Sequence, residues 1–295
     1  MTVSGARASE REQEAPFTCR NCGGGDALPR FADVPDRFHG FAGAFDYVSC
    51  AACGLVQLEH VPANPGAFYA GYRIHTGESV VYRTLRRLTI GHCYLERPGH
   101  GAALLDIGCG NGFYLKEMAA LGWNATGYEF DPAYAQALSA QIGLPVIAGE
   151  AALAAQAGTF DLVTFNFSFE HLDQPLRLLD LATRCLRPGG QLYISVPNIE
   201  SREAAIFKDR WFHLDPPRHI SFFSKSLLTS LLEERGFSEV ETRDLAVPTG
   251  FAGSVSYGLW DRFQALTWYA GIVPGLVFSS VVRDGNFAIT ARRTA

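Results

Sequence analysis

The stretch between residues 102 and 122 constrains the fold of this chain more than any other. Residues 102–107 are apolar except for Asp106, as in a parallel strand that is covered on both faces. The glycine turn Gly108-Cys109-Gly110-Asn111-Gly112 follows, and apolar residues then recur at helical spacing from Phe113 to Leu121. Gly122 is the expected stop of this helix. A buried strand, a glycine turn and a helix in this order predict an open α/β sheet.

The glycine turn also predicts a ligand site. The helix that follows offers free backbone N–H groups, and the glycines let the backbone approach a ligand closely. The dinucleotide-binding fingerprint requires a third glycine where this chain has Phe113, so that fingerprint is not matched. Asp106 at the strand end would repel a pyrophosphate and suits a cationic ligand. The alternative is a glycine turn that binds nothing.

Two later strands end in side chains that suit such a ligand. The second strand, 125–130, contains Glu129, which lies 17 residues beyond Gly112 and could accept hydrogen bonds from ribose hydroxyls. The fourth strand, 160–167, is followed by Glu170 and His171. Because an open sheet holds its reactants at the carboxyl ends of its parallel strands, we expect this stretch to line the site.

The glycine turn and the motifs Phe160-Asp-Leu-Val, Glu170-His-Leu and Leu186-Arg-Pro-Gly-Gly resemble, in order and spacing, those of class I S-adenosylmethionine (SAM) methyltransferases. The resemblance covers residues 100–245. It implies a doubly wound α/β fold with a seven-stranded, mostly parallel, Rossmann-like sheet, in which the last strand, 286–291, is an antiparallel edge strand. It also implies SAM as cofactor, with Glu150 beside the adenine. The implied cofactor-binding residues are Asp106, Gly108, Gly110, Gly112, Glu129, Glu150, Ala151 and Asn166.

Two Cys-x2-Cys pairs stand near the amino end. Cys19 and Cys22 are separated by 27 residues from Cys50 and Cys53, and each pair is followed by glycine. Two such turns can point four thiolates at one metal, which predicts a closed, tetrahedral, structural zinc site. The alternatives are four unrelated cysteines, an iron centre or a redox pair. Aromatic residues and glycines between the pairs predict a β-hairpin.

The chain divides into four parts by pattern. We expect a disordered tail (1–16), a zinc ribbon (17–60), a helical linker or lid (61–98) and a SAM-binding domain (99–295) with an insertion at 248–283. Residues 263–282 carry no charge, but a membrane crossing there would separate the last strand from its sheet. We therefore predict no transmembrane segment, and expect the insertion to cover the substrate, form a homodimer or contact a membrane interface.

The net charge limits the classes of partner that the sequence predicts, and the cysteine pattern indicates the cellular environment. A net charge of −5 and a pI near 5.9 argue against nucleic acid as partner. The seven cysteines do not form the pattern of a disulfide framework, which predicts a reducing, cytoplasmic environment.

His171 is the preferred general base because imidazole titrates near neutral pH, and Glu170 could assist it. His213 and His219, in a segment (197–222) predicted as a long irregular loop, are rivals, and a purely structural His171 is the alternative. The amino half, with its Cys-Gly-Leu-Val-Gln-Leu motif, resembles the zinc-binding front of deoxysugar C-methyltransferases. That resemblance places Glu170, His171 and Tyr72 in the site. The printed sequence lacks those enzymes' further carboxyl-terminal domain, so their sugar substrate and C-methylation are not carried over.

The sequence therefore favours SAM-dependent methyl transfer to a small-molecule or glycan acceptor. The leading acceptor is a hydroxyl oxygen in secondary-metabolite or polysaccharide biosynthesis. One alternative is an RNA methyltransferase, against which the acidic balance counts. Another is a non-catalytic SAM- or zinc-dependent binding module, which the intact motifs disfavour. A nicotinamide enzyme is disfavoured by Phe113.

Overall fold

The computed structural model describes residues 16–69, 98–259, 274–275, 277–278 and 281–294. The strands are β1 (Ala27–Pro35), β2 (Ala44–Cys50), β3 (Val56–Leu58), β4 (Ala103–Ile107), β5 (Asn124–Glu129), β6 (Val146–Ala148), β7 (Phe160–Asn166), β8 (Leu186–Pro197), β9 (Ser221–Phe222), β10 (Phe237–Leu245) and β11 (Asn286–Arg293). The helices are α1 (Phe113–Leu121), α2 (Pro132–Ile142), α3 (Glu150–Ala154), α4 (Pro175–Cys185), α5 (Arg202–Phe207), α6 (Lys225–Glu234) and α7 (Pro248–Leu259).

A seven-stranded sheet forms the centre, in the order β10-β11-β8-β7-β4-β5-β6. The pairs from β8 to β6 are parallel, whereas β11 is antiparallel to both β8 and β10. The predicted mostly parallel sheet and its antiparallel last strand are confirmed. The predicted edge position of that strand is wrong. β11 pairs with β8 on one side and with β10 on the other, and the charged, largely exposed β10 forms the edge. An edge position suits β10 better than the apolar β11, whose Phe287, Ala288 and Ile289 are fully buried.

Local signals place the helix ends as predicted. Gly112 and Gly122 flank α1, both with left-handed backbone. The Asp131 carboxylate accepts the backbone N–H groups of Ala133 and Tyr134 at the start of α2, where Pro132 is the first residue. These contacts span at most three residues, which is why sequence alone locates them.

A second, four-stranded antiparallel sheet, β1-β2-β3-β9, is called here the amino-terminal sheet. Cys50 is the last residue of β2, and the other three paired cysteines lie just outside its strands. Its β1–β2 hairpin confirms the hairpin predicted between the cysteine pairs. Its fourth strand, β9, lies much later in the sequence than the other three. It pairs with β3, with Ser221 opposite Gln57. Cys19, Cys50 and Leu55 pack into the same core as the large sheet.

The segment between β8 and β9, residues 198–220, is called the connecting segment. The prediction of a long irregular loop here is wrong, because the segment contains α5 and two 3-10 turns, Lys208–Arg210 and Phe212–Leu214. Its Trp211 and Leu214 are fully buried against the amino-terminal sheet. Their partners lie more than a hundred residues earlier in the sequence, so no local pattern reveals this structure.

Some predictions concern residues outside the described part of the chain. They include Tyr72, most of the proposed linker or lid and most of the uncharged stretch 263–282 within the insertion. Within the described part, no helix is both long enough and apolar enough to cross a bilayer.

Candidate active site

The turn after β4 has a shape that only glycine allows at two positions. Gly108 and Gly112 both have φ near +70°. A side chain at Gly108 would meet Cβ of Ser168 at 2.7 Å, and one at Gly112 would meet Cδ1 of Ile142 at 2.7 Å. Gly110, between them, also has left-handed backbone. The turn is therefore a tight backbone cradle at the start of α1.

Two carboxylates lie beside this cradle: Asp106 is buried and Glu129 is half-buried. Asp106 is 2% exposed and accepts hydrogen bonds from Thr164 Oγ1 (2.7 Å) and Asn166 Nδ2 (3.0 Å). Glu129 accepts from the backbone N–H of Gly110 at 2.6 Å. Burial raises the pKa of Asp106 to about 7 and that of Glu129 to about 7. Burial makes the anionic forms of both carboxylates unfavourable. A ligand that brings positive charge or hydrogen-bond donors would stabilise these anions.

An unsatisfied acceptor points to the same ligand chemistry. The buried amide oxygen of Asn166 has no hydrogen-bond partner among the described residues, although its amide nitrogen binds Asp106. A buried polar atom without a partner is costly unless a ligand supplies one. The site thus fits a ligand such as SAM, which carries a cation, an amino group and ribose hydroxyls.

The residues expected along the adenine lie at the next strand. Glu150 and Ala151 form the first turn of α3, directly after β6. The Glu150 carboxylate is half-exposed and forms an ion pair with Arg177. Phe130, which follows Glu129, is 53% exposed and packs edge-on against Tyr128.

A cluster of Glu170, His171 and His219 lies beyond the end of β7. One ring nitrogen of each histidine and one carboxylate oxygen of Glu170 all lie within 4.8 Å of one another. The rings of the two histidines meet edge to face, with centroids 4.5 Å apart. The structure thus brings together three of the four predicted catalytic residues, and Tyr72 lies outside its described part.

The charge states in this cluster follow from burial. Neither carboxylate oxygen of Glu170, which is 1% exposed, has a hydrogen-bond partner in the described part of the chain. Burial raises the pKa of Glu170 to about 8. Burial and the neighbouring His219 hold the pKa of His171 well below its ordinary value. At neutral pH, Glu170 is therefore mostly protonated and His171 is a neutral imidazole that can accept a proton.

Three residues near the cluster escaped the sequence analysis. Tyr69 places its hydroxyl 3.0 Å from Nδ1 of His171, and the backbone carbonyl of Arg218 lies 2.9 Å from the same nitrogen. Ser168 donates its hydroxyl to the carbonyl of Ile107 at 2.6 Å. A tyrosine or an arginine in an aromatic, proline-rich stretch has no distinctive spacing, so only the fold identifies these contacts.

The rival base His213 lies in different surroundings. Its Nε2 is 3.4 Å from the side-chain nitrogen of Asn286, and its ring packs against Trp211. Its backbone carbonyl lies 2.6 Å from Nδ1 of His219. His213 thus contacts the cluster through its backbone.

The four paired cysteines lie together, as their spacing predicts. The sulfurs of Cys19 and Cys53 are 3.5 Å apart, and those of Cys22 and Cys50 are 3.6 Å apart. All four lie within 4.8 Å of one another. Zinc–sulfur bonds in a tetrahedral Cys₄ site would place sulfurs about 3.8 Å apart. The sulfur positions therefore fit one tetrahedral metal ion.

Comparison with known proteins agrees with this architecture. Residues 81–242 match the family described as methyltransferase domain. Ubiquinone biosynthesis O-methyltransferases of Xanthomonas oryzae and Paraburkholderia xenovorans are each 34% identical over 105 residues, which is 33% of this chain and 44% and 45% of theirs. The chain thus spans less than half of the curated relatives it matches.

Two solved structures share the fold. A SAM-dependent methyltransferase from Archaeoglobus fulgidus has a TM-score of 0.51 at 18% identity, over 77% of this chain and 99% of that chain. Phosphoethanolamine N-methyltransferase 2 from Haemonchus contortus has a TM-score of 0.51 at 13% identity, over 79% and 59%. With the family match, which covers more than half of the chain, these findings show that the chain belongs to the methyltransferase domain family.

Proposed function

We propose that this chain is a SAM-dependent methyltransferase that methylates a hydroxyl oxygen of a small-molecule or glycan acceptor, in secondary-metabolite or polysaccharide biosynthesis, with His171 as general base. The observation that carries the proposal is the cluster of Glu170, His171 and His219 beyond the end of β7. A neutral imidazole there can take the proton that a hydroxyl must lose. The names of the O-methyltransferase relatives support oxygen as the methylated atom.

The cofactor site in this proposal consists of the cradle and its neighbours. Asp106 and Glu129 would accept hydrogen bonds from the ligand, and Asn166 would satisfy its free amide oxygen. Glu150 and Ala151 would lie along the adenine. When bound, SAM supplies an electrophilic methyl group on a sulfonium. The chain itself must orient the acceptor and exclude water from it.

The proton would move from the acceptor hydroxyl to Nε2 of His171. Nδ1 is already engaged by Tyr69 and by the carbonyl of Arg218, so Nε2 is the nitrogen left for the acceptor. Glu170, protonated at neutral pH, can donate a hydrogen bond within the cluster. We keep Tyr72 as a further proposed contact to the acceptor on the strength of the resemblance alone.

The test combines product analysis with one matched pair of variants. Purified protein is incubated with ¹³C-methyl SAM and phenols, catechols or sugar derivatives, and the ¹³C chemical shift of the product distinguishes O-, N- and C-methyl groups. His171→Ala should lower kcat about 10²–10⁴-fold and leave SAM affinity nearly unchanged. His100→Ala, at an exposed histidine, is the control. Wild-type turnover in His171→Ala, or a C- or N-methyl product, would refute the corresponding part of the proposal.

We also propose that Cys19, Cys22, Cys50 and Cys53 hold one structural zinc ion. The sulfur distances support this proposal, and so does the fit of the cysteine cluster into the main core. A structural zinc ion contributes folding free energy, because the four thiolates lie together only in the folded chain.

A further inference from the structure

Arg218 links the cysteine-bearing sheet to the candidate base. Its guanidinium is completely buried and binds two carboxylates. It donates to Asp36 through two nitrogens, at 2.8 and 3.0 Å, and to Asp215 through Nε at 2.9 Å. Asp36 directly follows β1, so this pair joins the amino-terminal sheet to the connecting segment across 182 residues of sequence.

The same residue contacts His171 through its backbone. A carbonyl oxygen can only accept a hydrogen bond, so the 2.9 Å contact between Arg218 O and Nδ1 of His171 is a hydrogen bond when the proton is on Nδ1, whereas the Tyr69 hydroxyl, 3.0 Å from the same nitrogen, can pair with either tautomer. In the Nδ1–H tautomer the lone pair is on Nε2. A backbone carbonyl on Nδ1 is a common device for fixing a histidine tautomer. Tyr69 then accepts from the same N–H or turns its hydroxyl away.

Hydrogen bonds within the connecting segment and from the amino-terminal sheet fix the backbone around Arg218. Asp215 has left-handed backbone, with φ of 36°, and its carbonyl accepts the N–H groups of Arg218 and His219. Tyr47, a fully buried residue of β2, places its hydroxyl 2.9 Å from the carbonyl of His219 and 2.7 Å from that of Leu214. The amino-terminal sheet therefore determines where the Arg218 carbonyl lies.

We infer that Arg218, anchored by Asp36, is a positioning residue that fixes His171 in its Nδ1–H tautomer, so that the amino-terminal sheet orients the reaction centre. The inference rests on the proposed function, since the tautomer matters to catalysis only if His171 is the base. A buried ion pair is weak evidence for stability, because apolar residues of similar volume often replace one at no cost. A specific geometric role accounts better for three charges in the interior.

The first measurement determines the His171 tautomer in the wild-type protein. Two-bond ¹H–¹⁵N spectra of the ¹⁵N-labelled wild-type protein, with His171 assigned by its loss in His171→Ala, report which ring nitrogen carries the proton. We expect Nδ1–H. An Nε2–H tautomer would overturn the inference, and so would fast exchange between the two. This readout does not depend on activity, so it stays valid even if His171→Ala keeps full turnover and the proposed base is refuted.

The second measurement perturbs the anchor. Arg218→Met keeps most of the side-chain volume and should give a mixture of tautomers, a kcat about tenfold to a hundredfold lower, and a SAM dissociation constant within about twofold of wild type. Arg37→Met is the matched control. Arg37 joins the same sheet to the connecting segment through Asp209. A wild-type tautomer and kcat in Arg218→Met would overturn the inference.

A third variant covers the case in which Arg218→Met does not fold. Asp36→Asn keeps the volume and one oxygen acceptor for the guanidinium, and it removes one of the two anions. It should shift the tautomer ratio and kcat in the same direction as Arg218→Met, by a smaller factor. An Asp36→Asn protein that matches the Arg37→Met control in both readouts would count against the anchor.

Discussion

Replacing Glu170 with glutamine should change how stability depends on pH. Glu170 is buried without a partner among the described residues, and burial raises its pKa from 4.5 to about 8. Between these two values the folded state holds a proton that the unfolded state has released, so stability falls as pH rises. Three pH units at about 1.4 kcal/mol each give a loss of about 4 kcal/mol between pH 5 and pH 8.

Glutamine has nearly the same size and no charge, so Glu170→Gln should lack this loss. The variant should match wild type near pH 5 and be more stable by about 4 kcal/mol near pH 9. Urea unfolding at several pH values measures the difference as a free energy of unfolding. Glu150→Gln, at a half-exposed carboxylate, is the control and should follow the wild-type curve. Parallel curves for Glu170→Gln and wild type would refute the idea that Glu170 is buried as an acid.

Two further outcomes follow from the candidate sites. Glu129→Ala should weaken SAM binding by about 1.5–3 kcal/mol, which titration calorimetry measures. Because the pKa of Glu129 is raised to about 7, the affinity of the wild-type protein for SAM should also fall below pH 7, and the affinity of the variant should fall less. Protein purified without chelator should contain about one zinc ion per chain, and chelation or Cys22→Ser should lower its melting temperature. Less than half an equivalent of zinc, or unchanged SAM affinity in Glu129→Ala, would contradict these assignments.

The features that sequence could locate are those whose partners lie nearby in the chain. The glycine cradle is one, because three left-handed positions within five residues leave glycine as the natural choice at each. The cap of α2 is another, and so is Ser224, which accepts the N–H of Leu227 at the start of α6. The spacing within each cysteine pair likewise predicts a short turn. The proximity of the two pairs to each other depends on the tertiary structure.

The features that sequence missed depend on distant partners. Strand β9 has two residues and exists because β3 offers it an edge. In the sequence, nothing distinguishes Arg218 from a charged residue on the surface, because its partner Asp36 lies 182 residues away. The position of β11 inside the sheet is set by two neighbours, and alternation within one strand cannot tell an inner strand from an edge. Local patterns therefore predict the candidate residues near the glycine turn, whereas the residues that contact and hold them are found only in the fold.

The two halves of the site use burial in opposite ways. Around the cradle, burial raises the pKa of Asp106 and Glu129. A cationic ligand is attracted to their anionic forms, and below pH 7 part of that attraction is offset by the cost of removing the protons that the carboxyl groups hold. Around His171, burial lowers the pKa, so the imidazole stays neutral and ready to accept a proton, but it becomes a weak base. Glu170 lies beside it, and even when protonated its carboxyl group has a carbonyl oxygen that can accept a hydrogen bond from an imidazolium. The pair then needs one fixed geometry, which the Arg218 carbonyl and the amino-terminal sheet supply.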